Sequence, residues 1–189
     1  MDLNSKIDEF DSLLIDTQRD GIENLINWLH HSTDFYTAPA STKYHLSCDG
    51  GLLTHSLNVY HQLARLMTIY NSFPIPLHSL KIVALLHDVC KVNMYKKVER
   101  YRKNDKKQWE AYYTYEINDS LPFGGHASKS LYMVQRFIYL TYEEASAINT
   151  HMGLGEWADH IDDVYKVNPL AWLLHVADES ATFIIEKGE

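Results

Sequence analysis

Apolar residues recur along most of this 189-residue chain at helical spacing. The stretch from Ile7 to Ile15 reads as an acidic amphipathic segment. A second segment follows Asp20-Gly21, with Ile22, Leu25, Ile26 and Leu29 at the i, i+3, i+4, i+7 spacing of one helix face. Residues 31–50 are rich in Ser, Thr, Pro and Gly and predict a loop. Asp49-Gly50-Gly51 then opens a long helix through about Tyr70, with Leu52, His55, Val59, Leu63 and Leu66 along one side. Pro74 and Pro76 break the chain before LHSLKIVALLHDVCK, whose almost unbroken apolar run predicts a central, buried helix.

The period changes once. VNMYKKVERYRK and QWEAYYTYEI are rich in Val, Tyr and Trp and flank the polar turn KNDKK, which predicts a β-hairpin. After a loop through Pro122 and Gly124-Gly125, helical patterning resumes at about 126–139, 142–151 and 169–187, with Pro169 suited to a first turn. No internal repeat, low-complexity tract or linker interrupts the pattern. The fold class expected is all-α, a helical bundle with a β-hairpin insert at about 92–117.

Composition narrows the function classes. The length suits one domain, and 46% hydrophobic with 22% charged residues excludes general disorder. Two cysteines, Cys48 and Cys90, make no disulfide framework and point to a reducing compartment. The N-terminus is acidic, without the basic start of a signal peptide, and no run of 18 uncharged apolar residues occurs, so a cytoplasmic protein without a membrane span is expected. A net charge of −8 argues against broad coating of nucleic acid, but it hides an asymmetry. Eight of the 17 bases lie between Lys91 and Lys107 against only Glu99 and Asp105, a local +6, which leaves −14 on the rest.

Histidine is in excess, 11 in all, and its placement matters more than its number. His55 falls on an apolar helix face, and His87-Asp88 ends the run Ile82–Leu86. His126 follows two glycines at a helix start, His151 closes a short helix, and His175 and Asp178 sit three apart in an apolar segment. Buried Asp and His need partners. Two readings satisfy them: a shared divalent metal, for which an N/O donor set suits Zn, Mn, Fe or Ni, or a metal-free hydrogen-bonded network. The doublet His87-Asp88 is unspecific alone; Lys91 three residues after His87 makes it informative.

The order His55, His87-Asp88, His126, His151, Asp178 resembles the HD superfamily of metal-dependent phosphohydrolases. The strings GGLLTHSLNVY, ALLHDVCK, FGGH, HMGLGEW and LLHVADE resemble the HD domain of bacterial exoribonucleases that join an OB-fold to an HD domain. They are more similar still to stand-alone HD hydrolases of bacteria and their phages. The resemblance runs from about Gly50 to Ala181. It implies an HD domain over 46–189; residues 1–45 carry none of its motifs and are expected, from their own patterning, to form an N-terminal helical extension packed on the core. It also implies two divalent ions (Mn, Fe, Ni, Zn or Mg), with His55, His87, Asp88 and Asp178 as ligands of the first. Asp88 would bridge to a second ion on His126 and His151. Close relatives often show His-His-Gly where this chain has His151-Met152-Gly153.

The implied chemistry is cleavage of a phosphoester of a nucleotide or short single-stranded nucleic acid by metal-activated water, with Asp88 and Lys91 catalytic. The compartment would be the cytoplasm of a bacterium, or of the host cell if the protein is phage-encoded; a homo-oligomer is compatible with the pattern. His175 is expected to support the ligands, Cys90 to be a buried thiol, and Glu156 to support His151 or face water. The hairpin leaves the motif directly after Lys91, so Lys91, Tyr95, Lys96, Arg100 and Arg102 are the expected substrate-binding residues. Alternation puts Tyr95, Lys97, Glu99 and Tyr101 on one hairpin face and Lys96, Val98, Arg100 and Arg102 on the other. The alternative is a catalytically silent metal-binding module that senses nucleotides or binds a partner.

Overall fold

The helix without a polar face lies at the centre of the molecule. Helix α4 (Leu77–Leu86) buries every residue from Ser79 to Leu86. It packs against α1 (Leu3–Ile15), α3 (Gly51–Ile69), α6 (Tyr142–Thr150) and α8 (Pro169–Ser180). The computed structural model describes residues 2–119, 121–154 and 160–187. Its remaining helices are α2 (Ile22–Ser32), α5 (His126–Gln135) and α7 (Ile161–Val167), making eight α-helices among the described residues. The only sheet among them is an antiparallel hairpin, β1 (Tyr95–Lys103) with β2 (Trp109–Ile117). This is the expected all-α bundle with its hairpin insert.

One buried cluster joins Phe10 and Leu14 of α1 and Leu25 and Leu29 of α2 to Leu52, Leu63, Leu85, Leu86, Ile148 and Leu174 of the helices behind them. At roughly 1.5–3 kcal/mol per fully buried large apolar side chain, this cluster is the main favourable contribution to the fold. The segment 33–50 closes over the start of α3. There Gly51 leaves no room for a side chain: a Cβ would lie 2.1 Å from the Leu46 carbonyl oxygen.

Local chemistry moves several boundaries. Helix α1 starts at Leu3, earlier than its apolar pattern, because the Asp2 carboxylate accepts a hydrogen bond from the Ser5 N–H at 2.8 Å. Helix α5 stops at Gln135, and Ile138 and Leu140 reach the core from the turn beyond. Helix α7 was not expected: seven residues with one buried position, Ile161, make too short a window for periodicity to register. Asp162 and Asp163 in its first turn and Lys166 in its last complement the helix dipole. The final helix stays α-helical to Ser180 and then widens into a π-helical turn over Ala181–Ile185. Among the described residues no helix is long and apolar enough to cross a membrane.

The N-terminal helices are held to the body by a buried ion pair as well. Arg19, between α1 and α2, donates to both oxygens of Glu144 at 2.9 and 2.7 Å, and the Glu144 side chain is fully buried. Glu144 also accepts from the Thr141 N–H at 2.9 Å, completing a capping box on α6. Burial pushes the Glu144 carboxyl up, but Arg19 and the capping N–H outweigh it and hold the group below its ordinary value of 4.5. Its folded form therefore binds a proton less readily than its unfolded form. The stability it contributes is complete above about pH 4.5 and is lost as pH falls through the lower folded value. Glu144→Ala should cost about 3–5 kcal/mol at pH 7. Urea unfolding at pH 7 and at pH 3 checks this, with a smaller drop between the two pH values in the variant than in the parent.

Candidate metal centre

Two helix C-termini aim a histidine inward in the same way. His87 ends α4 and His151 ends α6, each with helical backbone angles. The last carbonyls of a helix lack intrahelical donors, and a histidine side chain there can supply one. The His87 Nδ1–H donates to the Ala84 carbonyl at 2.9 Å, and the His151 Nδ1–H donates to the Ile148 carbonyl at 2.7 Å. A carbonyl only accepts, so Nδ1 carries a proton in each ring and leaves Nε2 as the atom free to ligate. Both Nε2 atoms are buried and have no hydrogen-bond partner.

These atoms converge on Asp88, which leaves α4 just after His87 and is itself buried. Its two oxygens face different neighbours. Oδ2 lies 3.6 Å from His87 Nε2, 3.5 Å from His55 Nε2 and 2.7 Å from Lys91 Nζ. Oδ1 lies 2.7 Å from His126 Nε2 and 3.6 Å from His151 Nε2. Asp178, on α8, brings Oδ1 to 3.1 Å from His55 Nε2 and 3.9 Å from His87 Nε2. So all six residues expected to bind metal come together, with Lys91 beside them.

The electrostatics of the cluster are polarised. Burial pushes His87 down to about 4 and keeps its ring neutral. Burial opposes a charge on His55 too, but Asp178 and Glu186 outweigh it and raise the ring to about 9. At His126 burial is outweighed by Asp88, which lifts the ring to about 10. Burial disfavours charge on Asp88, yet Lys91, His87 and His126 hold it well below the carboxylate range; His55 does the same for Asp178. At neutral pH the protonated His55 and His126 rings together with Lys91 offset Asp88, Asp178 and Glu186, so a divalent cation would take the place of the protons on those two rings. The imidazole and carboxylate donors lie within 4.8 Å of one another in overlapping sets of three, and this donor set fits a divalent transition metal.

The hairpin residues divide. Tyr95 is half-buried at the root of β1, where burial pushes its phenol up against the opposing charge of Lys91. Lys96, Arg100 and Arg102 are exposed further along, and the last two pair with Glu116 and Glu110 of β2. Burial of Cys90 is as expected, its sulfur 3.3 Å from His126 Nε2. His175 does not reach the cluster; its Nδ1–H donates to the His151 carbonyl at 2.8 Å. Gly153 sits at φ +60° against that ring, where a Cβ would lie 2.7 Å from Cε1. Glu156 lies outside the described residues.

Three residues at the cluster were missed from the sequence. Glu186 is buried and accepts from the His55 Nδ1–H at 3.1 Å, and Asn58 donates to the same carboxylate at 2.9 Å. His45 lies in the 33–50 loop with its ring 5.0 Å from that of His55. Asn58, three residues after His55 on α3, was open to helical spacing; a loop histidine and a charged residue near the chain's end carry no such signal.

The HD domain family model matches residues 52–182, more than half of the chain, and this chain belongs to that family. The family consists mostly of metal-dependent hydrolases. No match to the chain is found among curated proteins or among solved structures.

Adding Mn²⁺ at about 100 times its dissociation constant should stabilise the fold by about 2.7 kcal/mol. At roughly 2–4 °C per kcal/mol for this chain length, the melting temperature should rise by about 5–10 °C. Thermal melts with Mn²⁺ and with excess EDTA measure it, and His151→Ala with His87→Ala should shrink the difference.

Proposed function

We propose that this HD domain is a metal-dependent phosphohydrolase acting on the phosphoester bond of a nucleotide or of a short single-stranded nucleic acid. The observation that carries the reading is the pair of buried, unpartnered Nε2 atoms on His87 and His151, set around one carboxylate. Orphaned buried acceptors are costly, and a ligated cation relieves both at once. His55, His87 and Asp178 with Asp88 Oδ2 would hold one divalent ion, and His126 and His151 with Asp88 Oδ1 a second. The chemistry such ions would supply is acidification of a water, as a nucleophile at neutral pH, and polarisation of the phosphoryl oxygens.

The chain's own groups do the rest. Asp88 belongs to both donor sets, so its position fixes one relative to the other. Lys91 carries the fixed positive charge beside it and is placed to offset charge growing on phosphoryl oxygens as the P–O bond breaks. A cavity of about 180 Å³ between Met94, Asp119, Phe123 and Lys129 opens beside His126 and offers an approach for substrate.

The hairpin supplies a second contact, on the face opposite to the one its arginines favour. Residues directly paired across β1 and β2 share a face, so Tyr95, Lys97, Tyr101 and Lys103 stand with Tyr115, Tyr113 and Trp109. The root of this face is pinned, as Tyr115 and Lys97 both bond Asp49 at the start of α3. Further out Tyr101, Tyr113 and Trp109 are exposed, with Lys97 over the Tyr113 ring at 5.3 Å and Lys103 over Trp109 at 5.4 Å. Aromatic rings with interleaved cations stack bases and screen phosphates without reading sequence. On the other face Arg100 and Arg102 are already paired with carboxylates.

Asp88→Asn should abolish phosphate or nucleotide release, by roughly 10³-fold if several kcal/mol of metal-dependent stabilisation is lost. Its circular dichroism should match the parent. A Mn²⁺-supplemented assay on mononucleotides, cyclic nucleotides and short oligonucleotides measures it; metal and nucleotide binding without any turnover in the parent would favour the silent module. For the hairpin, Tyr113→Ala with Trp109→Ala should raise KM for an oligonucleotide about tenfold or more, since stacking is worth about 1–3 kcal/mol per base. KM for a mononucleotide should stay constant, and Arg100→Ala with Arg102→Ala should change neither.

A further inference from the structure

The chain's last described turn exposes hydrocarbon in order to bury a carboxylate. Phe183, Ile184 and Ile185 are 65%, 71% and 43% exposed, whereas Glu186 is 1% exposed. Burial of apolar surface alone would favour the reverse arrangement. The π-helical turn produces it. Two turns of α-helix take about seven residues, so in a regular continuation Ile185 would stand over Asp178. The wide turn over Ala181–Ile185, closed by the Glu186 N–H on the Ala181 carbonyl at 2.9 Å, takes in one residue more. It brings Glu186 to the face that carries Asp178, eight positions earlier. Such single wide turns inside helices recur at functional sites.

What Glu186 meets there is specific. The His55 Nδ1–H lies 3.1 and 3.2 Å from its two oxygens, and the Asn58 amide donates to Oε1 at 2.9 Å. His45 stands on the far side, its Nε2 3.8 Å from Oε2. The opposite edge of the His55 ring, Nε2, faces Asp88 and Asp178. The Ala84 and Ile148 carbonyls hold His87 and His151 in the same sense, but His55 lies within α3, where neighbouring carbonyls are already bonded in the helix. Its ring has to be held from elsewhere.

We propose that Glu186, which lies beyond the residues matched by the family model, is the positioning residue that sets the tautomer and aim of His55 as a metal ligand. The inference rests on the metal-dependent reading of the site. A carboxylate behind a ligating imidazole fixes the ring and raises its basicity, and removing such a partner typically weakens metal binding about 10–100-fold.

The test is metal affinity of the full chain, measured by Mn²⁺ and Zn²⁺ titration calorimetry, alongside the d–d spectrum of the Co²⁺-loaded protein. Glu186→Ala should weaken binding about 10–100-fold and alter the Co²⁺ spectrum, while the melting temperature in EDTA changes much less than that in metal. Glu186→Met fills the same space without an acceptor, should behave alike, and replaces the alanine variant if that one fails to fold. Glu186→Gln keeps an acceptor at Oε1 for both His55 and Asn58, and should bind metal within several-fold of the parent. Parent-like affinity in the Ala and Met variants overturns the proposal, as does an equal loss in Gln and Met. A parent chain that binds neither Mn²⁺ nor Zn²⁺ overturns the metal reading itself, a different result from a parent that binds and a variant that binds equally.

Discussion

The arrangement of the candidate metal centre depends on keeping one carboxylate, Asp88, charged inside a protein core. A buried unpaired carboxylate would neutralise or pull the fold apart, so its surroundings must be built from donors and cations. Lys91, His126 and His55 provide them from separate parts of the chain, while His87 and His151 turn bare Nε2 atoms to the same carboxylate. Elements end where the donors are needed: α4 at His87, α6 at His151, and α5 begins at His126. Helix ends are where backbone groups lack partners, so one piece of backbone chemistry both closes α4 and α6 and sets the direction of their histidines. The apolar run Ile82–Leu86 belongs to the same arrangement, because a helix that delivers a ligand to the centre must itself be covered on all sides.

That coverage explains the N-terminal segment. Helix α1 packs on both α3 and α4, the helices that carry His55 and His87, and the buried pair of Arg19 with Glu144 ties the same segment to α6. The loop after α2 then folds over the α3 start at Gly51, which brings His45 against His55 and Asp49 under the hairpin. Arg19, His45, Asp49 and Glu144 lie in none of the quoted motif strings, yet they tie together the helices that carry those strings.

Much of this was legible from the residues. His and Asp embedded in apolar runs are conspicuous because such groups need a reason to be buried, and their order carried the family. The alternation of β1 and the polar turn after it were equally plain, and the parity of its faces was read correctly. The pairing of Arg102 with Glu110 and of Arg100 with Glu116 was not legible, since it is a matter of register between two strands. Glu186 was hidden for a related reason. Helical periodicity at 3.6 residues places it outward beside the charged chain end, and only a change of period turns it in.

The charge asymmetry acquires a spatial meaning from the same register. Seen as a run of bases, residues 91–107 suggest a general grip on polyanions. Paired across the hairpin, two of its arginines are neutralised and Lys97 is held by Asp49, so its simple electrostatic pull is much weaker than +6. What remains on the outer part of the Tyr95 face is Tyr101, Tyr113 and Trp109 with Lys103 and with Glu99, which accepts from the Tyr101 hydroxyl at 3.1 Å, a surface with more aromatic ring than net charge. The acidic body around it repels a long phosphate chain at short range, the Debye length being about 8 Å at physiological salt. A nine-residue strand spans roughly 30 Å at about 3.3 Å per residue. Under the proposed reading, a polyanion would be held only over that length and only where its bases are free to stack, as at an unpaired end.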